Sequence, residues 1–323
     1  MRFLSKEDIR SCMSLDECIA AMEKAYRIFY EGSYFMPHRP CIENGRNTLL
    51  YMPCFIDECF ATKSLTLFPD NPAKGHPMID GSVVINDKDT GAIKAIMPAG
   101  FLTALRTGAN TGVMLKHLSP EDCTACGIVG AGAQGVFQTA FACKVRNIET
   151  VYVYDPYLRD FEKFKADVLS LTDTEPNFIL CSDVKQLMEN SDIIIAATTS
   201  NTPVFPDDEN LFYGKTVVAI GSYKPDCREC PDALLRICDN IYVDLDFAKE
   251  ESGELMIPLK NGIISDSDVL QISDVLYDEK LKGHTPGETI FIKTVGMALF
   301  DVVCGNEIYK KAVENNIGTE LEF

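Results

Sequence analysis

A short apolar run that leads into three glycines constrains this chain more than any other feature of its sequence. Residues 127–129 read Gly-Ile-Val, and Gly130, Gly132 and Gly135 follow in the pattern G-x-G-x-x-G before a helical segment. In this pattern the first glycine permits a tight turn, the second lets the backbone approach a pyrophosphate, and the third allows close helix–strand packing. The helix N-terminus then offers N–H groups and a partial positive charge to phosphates. The segment therefore predicts a dinucleotide site.

A second strand and an acidic residue follow at the spacing that such a site requires. The apolar run 151–154 ends at Asp155, which stands 20 residues after Gly135. A carboxylate at this place can accept a hydrogen bond from a ribose hydroxyl. It would also repel a 2′-phosphate, which favours NAD over NADP, although the nearby Arg159 would weaken that preference.

The chain from residue 125 onward alternates apolar strand-like runs with helical ones. The predicted strands are 125–129, 150–154, 177–180, 192–197, 216–220 and 240–243. The predicted helices between them are 135–145, 160–171 and 183–189. This alternation predicts an α/β fold with a Rossmann-type, doubly wound parallel sheet. The segment 289–315 is predicted as one long helix beyond the last strand, able to pack back onto the N-terminal domain.

The first part of the chain has a different pattern. Ser14 and Glu17 form a capping box for a helix with one apolar face, and Gly32 ends that helix. Strand-like runs follow at 48–55, 60–68 and 82–96, and then a helix at 102–117. Because a turn at 87–91 separates two alternating apolar segments, an antiparallel hairpin is expected there. The pattern predicts an N-terminal α+β domain.

Charge and hydropathy exclude several classes of partner. The chain carries 30 Lys and Arg against 48 Asp and Glu, a net charge of −18. Such a surface repels nucleic-acid backbones and anionic lipids. No run approaches the roughly 20 apolar residues of a membrane span. The polar start, residues 1–10, does not resemble a signal peptide.

The cysteines predict a reducing, cytoplasmic location. There are 13, an odd number, scattered through apolar segments. The two C-x-x-C pairs, Cys123/Cys126 and Cys227/Cys230, lie about a hundred residues apart, whereas a zinc ribbon brings its pairs within roughly 15–20 residues. Inert thiols and no metal site are the preferred interpretation.

Three basic residues stand among apolar or turn residues in the N-terminal domain. They are Arg39, Lys63 and Arg106. A charge in an apolar strand, as at Lys63, is costly without a partner, and a guanidinium fork fits a carboxylate. The functional interpretation is a clamp for a substrate carboxylate. The alternative, that each is a surface or ion-paired residue, stays open at this point.

The sequence resembles the ornithine cyclodeaminase/mu-crystallin family along nearly its whole length. The segments that carry the resemblance are 36–39, the strand around Lys63, Asn71 with 75–77, 89–91, 102–107, 130–134, 197–200, 221–229 and 293–296. The resemblance implies a Rossmann domain at 119–296. It also implies a substrate-binding domain at 1–118, completed by 297–323, through which two chains form a homodimer.

The resemblance also implies roles for individual residues. Arg39, Lys63, Arg106 and Val295 match substrate positions, with Lys63 as the catalytic residue. Together with the glycine motif, it yields a predicted cofactor set of Arg106, Thr107, Gly130, Gly132, Ala133, Gln134, Gly135, Asp155, Thr199, Ile220, Gly221, Ser222 and Thr294.

Two departures from the cyclodeaminase pattern bear on the reaction. Tyr223 stands where cyclodeaminases carry a catalytic aspartate, and Met78 stands where they use a threonine. The pattern G-x-x-x-P-D-x-x-E that starts at Gly221 is more similar to the alanine dehydrogenase and ketimine reductase members. Asp226 would reach the site only if its loop bends sharply.

The function expected is hydride transfer between NAD(H) and the α-carbon of a small amino or imino acid. Arg106 and Arg39 would hold the carboxylate, and Lys63 would exchange a proton with the nitrogen. Burial and the neighbouring arginines would lower the pKa of Lys63. Two alternatives stay open. One is a cyclodeaminase, an ammonia-lyase that uses NAD catalytically to convert ornithine to proline. The other is a crystallin-like binding protein without catalysis.

Overall fold

The protein is described by a computed structural model that covers residues 1–222, 224–278 and 287–322. The chain forms two compact units. Unit 1 is Met1–Arg106 with Met297–Phe323, and unit 2 is Thr107–Gly296.

The described part of unit 1 consists mainly of one sheet and the helices against it. Its strands are β1 (Arg2–Phe3), β2 (Tyr34–Phe35), β3 (Cys41–Asn44), β4 (Asn47–Ile56), β5 (Cys59–Leu67), β6 (Ile79–Asp87), β7 (Ile93–Pro98) and β16 (Thr319–Glu320). Its helices are α1 (Lys6–Cys12), α2 (Leu15–Glu31), the start of α3 (Ala99–Leu118), and α11 (Ala298–Glu314), with a short 3-10 turn at Pro72–Lys74. The strand order is β16-β1-β7-β6-β5-β4-β2, and β3 pairs with β4.

Local sequence signals explain the elements that were predicted here. The hydroxyl of Ser14 accepts from the Glu17 amide at 3.3 Å, and the Glu17 carboxylate accepts from the Ser14 amide at 2.9 Å, so the capping box of α2 is confirmed. Gly32 ends the helix at φ 70°. The hairpin β6–β7 is confirmed as an antiparallel pair. The seven-residue helix α1 was not predicted.

The strands of this sheet alternate, so that one face is buried and the other is more exposed. Lys63 lies on the buried face of β5, between Met52 of β4 and Val83 of β6. Helices α2 and α11 contact each other, and α11 also contacts β4, β5 and β6. The Tyr26 ring meets the edge of the Phe300 ring at 5.1 Å between centroids. The core of unit 1 therefore lies between the sheet and these helices.

Unit 2 has a single sheet in the described residues, and all of its neighbouring strands are parallel. Its strands are β8 (Ala125–Val129), β9 (Thr150–Tyr154), β10 (Asn177–Leu180), β11 (Ile193–Ala196), β12 (Thr216–Ala219), β13 (Asn240–Val243), β14 (Val269–Gln271) and β15 (Ile290–Lys293). Besides the end of α3, its helices are α4 (Ala133–Val145), α5 (Phe161–Leu169), α6 (Val184–Glu189), α7 (Asp232–Ile237), α8 (Ala248–Glu251), α9 (Gly253–Asn261) and α10 (Ile272–Tyr277), with short 3-10 turns at Glu209–Leu211 and Asp266–Asp268. The order β10-β9-β8-β11-β12-β15-β13-β14 confirms the predicted doubly wound fold.

The predicted long helix 289–315 was wrong in its first third. Ile290–Lys293 form β15, which pairs with both β12 and β13 inside the sheet, and the helix α11 begins only at Ala298. A short, fully apolar run does not distinguish a buried strand from a buried helix by its periodicity. Gly296, at φ 72°, breaks the chain between the two elements.

The boundary between the units falls inside α3, whereas the sequence analysis placed it at residue 118, the end of that helix. The later part of α3 packs within unit 2. Gly108 lies so close to Phe137 and Phe141 that a Cβ there would come within 2.6 Å of the Phe141 ring. Among the residues that the structure describes, none of the helices combines the length and the apolar character that crossing a membrane requires.

Candidate active site

The glycine motif forms the connection between β8 and α4. Gly130 has φ +97°, and a Cβ there would come within 2.5 Å of the Ala197 carbonyl oxygen. A Cβ on Gly135 would lie 2.2 Å from the Gly130 carbonyl oxygen, whereas a Cβ on Gly132 would meet no heavy atom within 4 Å. Gly130 and Gly135 are thus required by the packing of the protein itself. Gly132 leaves open space directly before the start of α4.

Helix α4 starts directly after this open space. Its N-cap is Gly132, which provides no side-chain hydrogen bond to the first turn, and Ala133 and Gln134 are its first residues. The side-chain Nε2 of Gln138 donates to the side-chain oxygen of Gln134 at 3.4 Å. The first turn of α4 therefore presents backbone N–H groups without a capping side chain, as expected of a phosphate-binding helix.

Asp155 lies at the carboxyl end of β9, beside the glycine loop. Its Oδ2 accepts a hydrogen bond from the Ala131 amide at 2.9 Å, and its Oδ1 accepts from the Tyr157 amide at 2.8 Å. Both contacts hold the half-buried carboxylate at one place. The structure thus joins the predicted acid to the predicted loop.

The loops after β11 and β12 are held together by the buried carboxylate of Glu229, the last residue of the pattern that starts at Gly221, for which the sequence analysis predicted no role. Oε1 of Glu229 accepts from the backbone N–H of Thr198 at 2.7 Å and from its hydroxyl at 2.8 Å. Oε2 accepts from the amide of Gly221 at 2.6 Å. These two loops carry four of the predicted cofactor residues. They are Thr199, Ile220, Gly221 and Ser222.

Two further buried side chains, those of Glu254 and Lys293, bind backbone groups near the same loops. Glu254 accepts from the backbone amides of Glu229 and Cys230. The ammonium of Lys293 donates to the carbonyl oxygens of Ser222 at 2.7 Å and Ala219 at 3.3 Å. Burial raises the pKa of Glu254 to about 7, against the opposing charge of Lys293. Because these side chains bind backbone groups, their role is to set the path of the loops.

The segment after β15 is held in a similar way by Asp244. The hydroxyl of Thr294 donates to Asp244 Oδ2 at 2.7 Å and accepts from the side-chain Nδ2 of Asn110 at 3.2 Å. The backbone N–H of Val295 donates to Asp244 Oδ1 at 3.0 Å. Thr107, another predicted cofactor residue, is buried near the middle of α3.

Unit 1 contains a buried cluster of two cations and one carboxylate. Lys63 Nζ lies 2.6 Å from Oδ2 of Asp301, and Arg106 Nε lies 3.1 Å from Oδ1 of the same carboxylate. Lys63 and Asp301 are each 1% exposed, and Arg106 is 5% exposed. They come from β5, α3 and α11, so only the folded unit assembles them.

The charges in this cluster shift each other's pKa values. Burial lowers the pKa of Lys63 to about 8; Asp301 opposes that shift, and Arg106 and Arg39 add to it. Burial by itself raises the pKa of Asp301, but Arg106 and Lys63 outweigh it and hold that pKa below its usual value. Arg39, half-buried between β2 and β3, is thus close enough to act on Lys63. Of the three cations predicted in the N-terminal domain, the structure brings Lys63 and Arg106 together at Asp301, and Arg39 acts on Lys63 through its charge.

Asp301 was missed in the sequence, although a signal for it exists. It lies on the apolar stripe of α11 beside Ala298 and Val302, and all three are buried. An acid on an apolar helix face is costly without a partner. That position therefore indicates a buried cation elsewhere in the chain, but nothing in the sequence says which one.

Other predicted features lie outside these clusters or outside the described residues. Tyr223, on which the distinction from the cyclodeaminases rests, is not among the described residues, and Asp226 lies on an exposed loop. All thirteen cysteines are free thiols. Within the described ranges, no group of three or more His, Cys, Asp or Glu side chains is placed to hold a metal ion.

The described residues of unit 2 fit a nicotinamide dinucleotide. The open space at Gly132, the uncapped start of α4 and the fixed carboxylate of Asp155 stand in the order that pyrophosphate and ribose require.

Comparisons with known proteins agree with this architecture. A Delta(1)-pyrroline-2-carboxylate reductase of Bacillus cereus is 30% identical, with 100% of both chains covered. An alanine dehydrogenase of Archaeoglobus fulgidus is 29% identical over 99% of this chain and 98% of its own.

Solved structures match over the same extent. The Delta(1)-pyrroline-2-carboxylate reductase of Thermococcus litoralis, in complex with NADH and L-proline, superposes with a TM-score of 0.92 at 32% identity, over 99% of this chain and 100% of that one. An archaeal alanine dehydrogenase dimer with bound NAD superposes with a TM-score of 0.89 at 28% identity, over 100% and 99%. The family model matches residues 1–316, and the chain belongs to the ornithine cyclodeaminase/mu-crystallin family.

Proposed function

We propose that this chain is a reductase that uses NADH to convert a small cyclic 2-imino carboxylate into the corresponding amino acid. The curated relatives confirm the predicted class, an NAD(P)-dependent oxidoreductase acting at a carbon–nitrogen bond, and the solved relatives with NADH or NAD confirm the cofactor. The observation that carries the proposal is the buried contact of Lys63 and Arg106 with Asp301.

Unit 1 supplies groups suited to the substrate. The guanidinium groups of Arg106 and Arg39 bind the carboxylate, since a guanidinium fork matches its two oxygens. The ammonium of Lys63 donates its proton to the imine nitrogen as a hydride reaches the adjacent carbon. A pKa of about 8 keeps Lys63 mostly charged at neutral pH while making its proton easier to release than that of an ordinary lysine.

Unit 2 supplies groups suited to the dinucleotide, which when bound provides the hydride. The glycine loop and the start of α4 hold the pyrophosphate, and Asp155 accepts from a ribose hydroxyl. The loops tied by Glu229 and the segment tied by Asp244 place the remaining contacts. The proposed cofactor residues are Arg106, Thr107, Gly130, Gly132, Ala133, Gln134, Gly135, Asp155, Thr199, Ile220, Gly221, Ser222 and Thr294, and Val295 is the proposed substrate contact outside unit 1.

The test is a spectrophotometric assay of NADH oxidation. The substrates are 1-pyrroline-2-carboxylate and its six-membered homologue, with pyruvate plus ammonia or methylamine as the dehydrogenase comparison. We expect NADH to be consumed in a 1:1 ratio with the cyclic imine and faster than with pyruvate and ammonia. L-Ornithine with NAD is expected to yield neither proline nor ammonia.

Two results would contradict the proposal. Proline formed from ornithine without net change in NADH would make the chain a cyclodeaminase. Binding of NADH and of L-proline without turnover of any imine would make it a binding protein of the crystallin type.

We further propose that the chain forms a homodimer through the more exposed face of the unit 1 sheet. Phe35 and Phe55 are 66% and 42% exposed there, and the ring of Phe55 stacks on that of Phe60 at 4.7 Å. Such an apolar patch favours association, and the archaeal alanine dehydrogenase is a dimer. In this proposal residues 1–118 and 297–323 form the substrate-binding and dimerising domain. A monomeric mass by light scattering would contradict it.

A cytoplasmic location is also proposed, supported by the thirteen free thiols.

A further inference from the structure

Asp301 is a buried carboxylate that the proposed chemistry does not use. It lies on α11 and contacts two of the three cations assigned to the substrate. An aspartate this close to a carboxylate-binding site repels the substrate, so its presence needs a reason other than affinity. That reason lies in the effect of Asp301 on the charge and orientation of Lys63 and Arg106.

The geometry gives each oxygen of Asp301 a separate partner. Oδ2 faces the ammonium of Lys63 and Oδ1 faces Nε of Arg106. Because the contact to Arg106 uses Nε, it fixes the plane of the guanidinium without itself occupying either terminal nitrogen. Those terminal nitrogens are the ones that form a parallel pair of bonds with a carboxylate. One carboxylate thus orients both side chains.

We propose that Asp301 is a positioning residue that keeps Lys63 in its charged, proton-donating form and aims the guanidinium of Arg106 at the substrate carboxylate. This inference rests on the proposed function for its catalytic meaning. Asp301 itself touches neither substrate nor cofactor in this scheme.

The charge balance of the cluster supports this role. Lys63, Arg106 and Arg39 contribute three positive charges and Asp301 one negative charge, which leaves 3 − 1 = +2. A bound substrate carboxylate reduces this to +1. Arrival of the hydride and transfer of the Lys63 proton to the nitrogen then give a net charge of zero for the cluster with the product amine still bound. The bound carboxylate therefore offsets part of the repulsion among the cations and favours the charged form of Lys63, which gives up its proton only to the nitrogen that hydride transfer makes basic.

The groups around Lys63 act on its pKa in opposite directions. Burial, Arg106 and Arg39 lower it, and the carboxylate of Asp301 raises it. Cys54 on β4 also lies near Asp301, and burial raises its pKa to about 12. Cys304, three residues after Asp301 on α11, has its pKa raised by burial as well. Both thiols are neutral in the working range, so removing Asp301 leaves burial, Arg106 and Arg39 to lower the pKa of Lys63.

The experiment measures Lys63 directly, apart from activity. Full-length protein carrying 13C at the lysine ε-carbon is titrated by NMR, and the Lys63 signal is assigned from its absence in Lys63→Met. Asp301→Asn should lower the titration midpoint of Lys63 by one unit or more, a tenfold change in the ratio of charged to neutral amine. Arg106→Leu should raise the midpoint, because it removes a neighbouring cation and leaves Lys63 as the remaining ion-pair partner of Asp301 in this cluster.

A matched control comes from the same helix. Glu307 pairs with Lys24 at 2.9 Å and Lys310 at 3.0 Å on α11. Glu307→Gln removes an α11 carboxylate of similar kind without touching Lys63, and it should leave the midpoint unchanged. Opposite shifts in Asp301→Asn and Arg106→Leu separate the inference from simple loss of structure, which would move both midpoints toward that of an exposed lysine.

The activity measurement uses the same variants. Reduction needs charged Lys63, so kcat/KM falls as the pH rises through the Lys63 pKa, and this fall should move to lower pH in Asp301→Asn. Asp301→Glu, which keeps the charge, should restore the wild-type profile in part. An unmoved Lys63 midpoint in Asp301→Asn, or shifts of one sign in both variants, would overturn the inference.

The two proposals fail in different ways. If no imine is reduced but the midpoints move in opposite directions, the proposed function is wrong while Asp301 still controls Lys63. If Asp301→Asn does not fold, as judged by circular dichroism, Asp301→Ser, a smaller neutral variant, decides: a lowered Lys63 midpoint supports the coupling through Asp301, and an unchanged or higher value overturns it.

Discussion

The two units build their candidate sites from different parts of the chain. In unit 2 the cofactor loop is made of backbone, from residues that lie within about thirty positions of each other, 125–155. In unit 1 the cluster is made of side chains at positions 63, 106 and 301, on three separate elements. A backbone site should fail when a Cβ enters it, whereas a side-chain site should fail when one functional group is lost while the fold remains.

Buried charge shows the same difference. In unit 2, Glu229, Glu254 and Lys293 direct their hydrogen bonds to backbone groups of the loops. In unit 1, Lys63 and Arg106 meet a side-chain carboxylate, and burial lowers the pKa of Lys63 to about 8 against the opposing effect of that carboxylate. The first arrangement shapes a loop, and the second surrounds the lysine that we propose as the proton donor.

The largest effect is expected from the loss of the proton donor in unit 1. Lys63→Met should lower kcat by about 100-fold to 10,000-fold, the usual contribution of general acid catalysis. NADH binding, followed by its fluorescence, should change little, and the fold should survive because Asp301 keeps Arg106 as its partner.

Lys94→Met is the matched control for this variant. Lys94 lies on β7 of the same sheet, over the ring of Tyr309 at 5.3 Å, and its loss should leave kcat within about twofold, well under one tenfold step in the barrier. A Lys63→Met enzyme with near-normal kcat would mean that unit 1 does not hold the proton donor.

The second-largest effect is expected from adding a methyl group to the cofactor loop of unit 2. Gly132→Ala should raise the Kd for NADH at least tenfold, or about 1.4 kcal/mol, and leave the melting temperature nearly unchanged, because the new Cβ meets no protein atom within 4 Å. Gly135→Ala should instead lower the melting temperature, since its Cβ would lie 2.2 Å from the Gly130 carbonyl oxygen.

Gly100→Ala serves as the control, because a Cβ on Gly100 at the start of α3 also meets nothing within 4 Å. It should affect neither NADH binding nor the melting temperature adversely. Unchanged NADH affinity in Gly132→Ala would show that the open space beside Gly132 does not receive the dinucleotide.

The smallest effect is expected at Asp155, the one side-chain contact proposed for the ribose in unit 2. Asp155→Ser should weaken NADH binding about tenfold, the scale of one charge-assisted hydrogen bond. It should also narrow the difference between the NADH and NADPH affinities, because it removes the repulsion of a 2′-phosphate. Asp173→Ser, which removes an exposed acid from the same unit, should leave both affinities unchanged. Tighter binding of NADPH than NADH to the unaltered protein would contradict the preference.

Features encoded within a few residues were predictable. The capping box at Ser14 and Glu17, the hairpin β6–β7 and the order strand, glycines, helix, strand and acid all appear as predicted. Each depends on contacts between near neighbours in the chain, so the local sequence contains both partners.

Features that depend on residues far apart in the chain were not predictable from the sequence. Residues 290–293 became a strand because β12 and β13 flank them in the sheet, although the sequence alone was equally consistent with a helix. Lys63 was selected as a buried cation in need of a partner, but that partner, Asp301, lies 238 positions away, 301 − 63.

By itself the sequence determined the dinucleotide loop, the alternating fold of unit 2 and the three cations suited to a carboxylate. Only the tertiary structure decided that Lys63 and Arg106 share one buried carboxylate, and that Glu229 ties the loops after β11 and β12. The reason is physical: turns, caps and glycine contacts are satisfied within a few residues. A buried charge, in contrast, has to be neutralised by whichever opposite charge the completed core brings within about 3 to 4 Å.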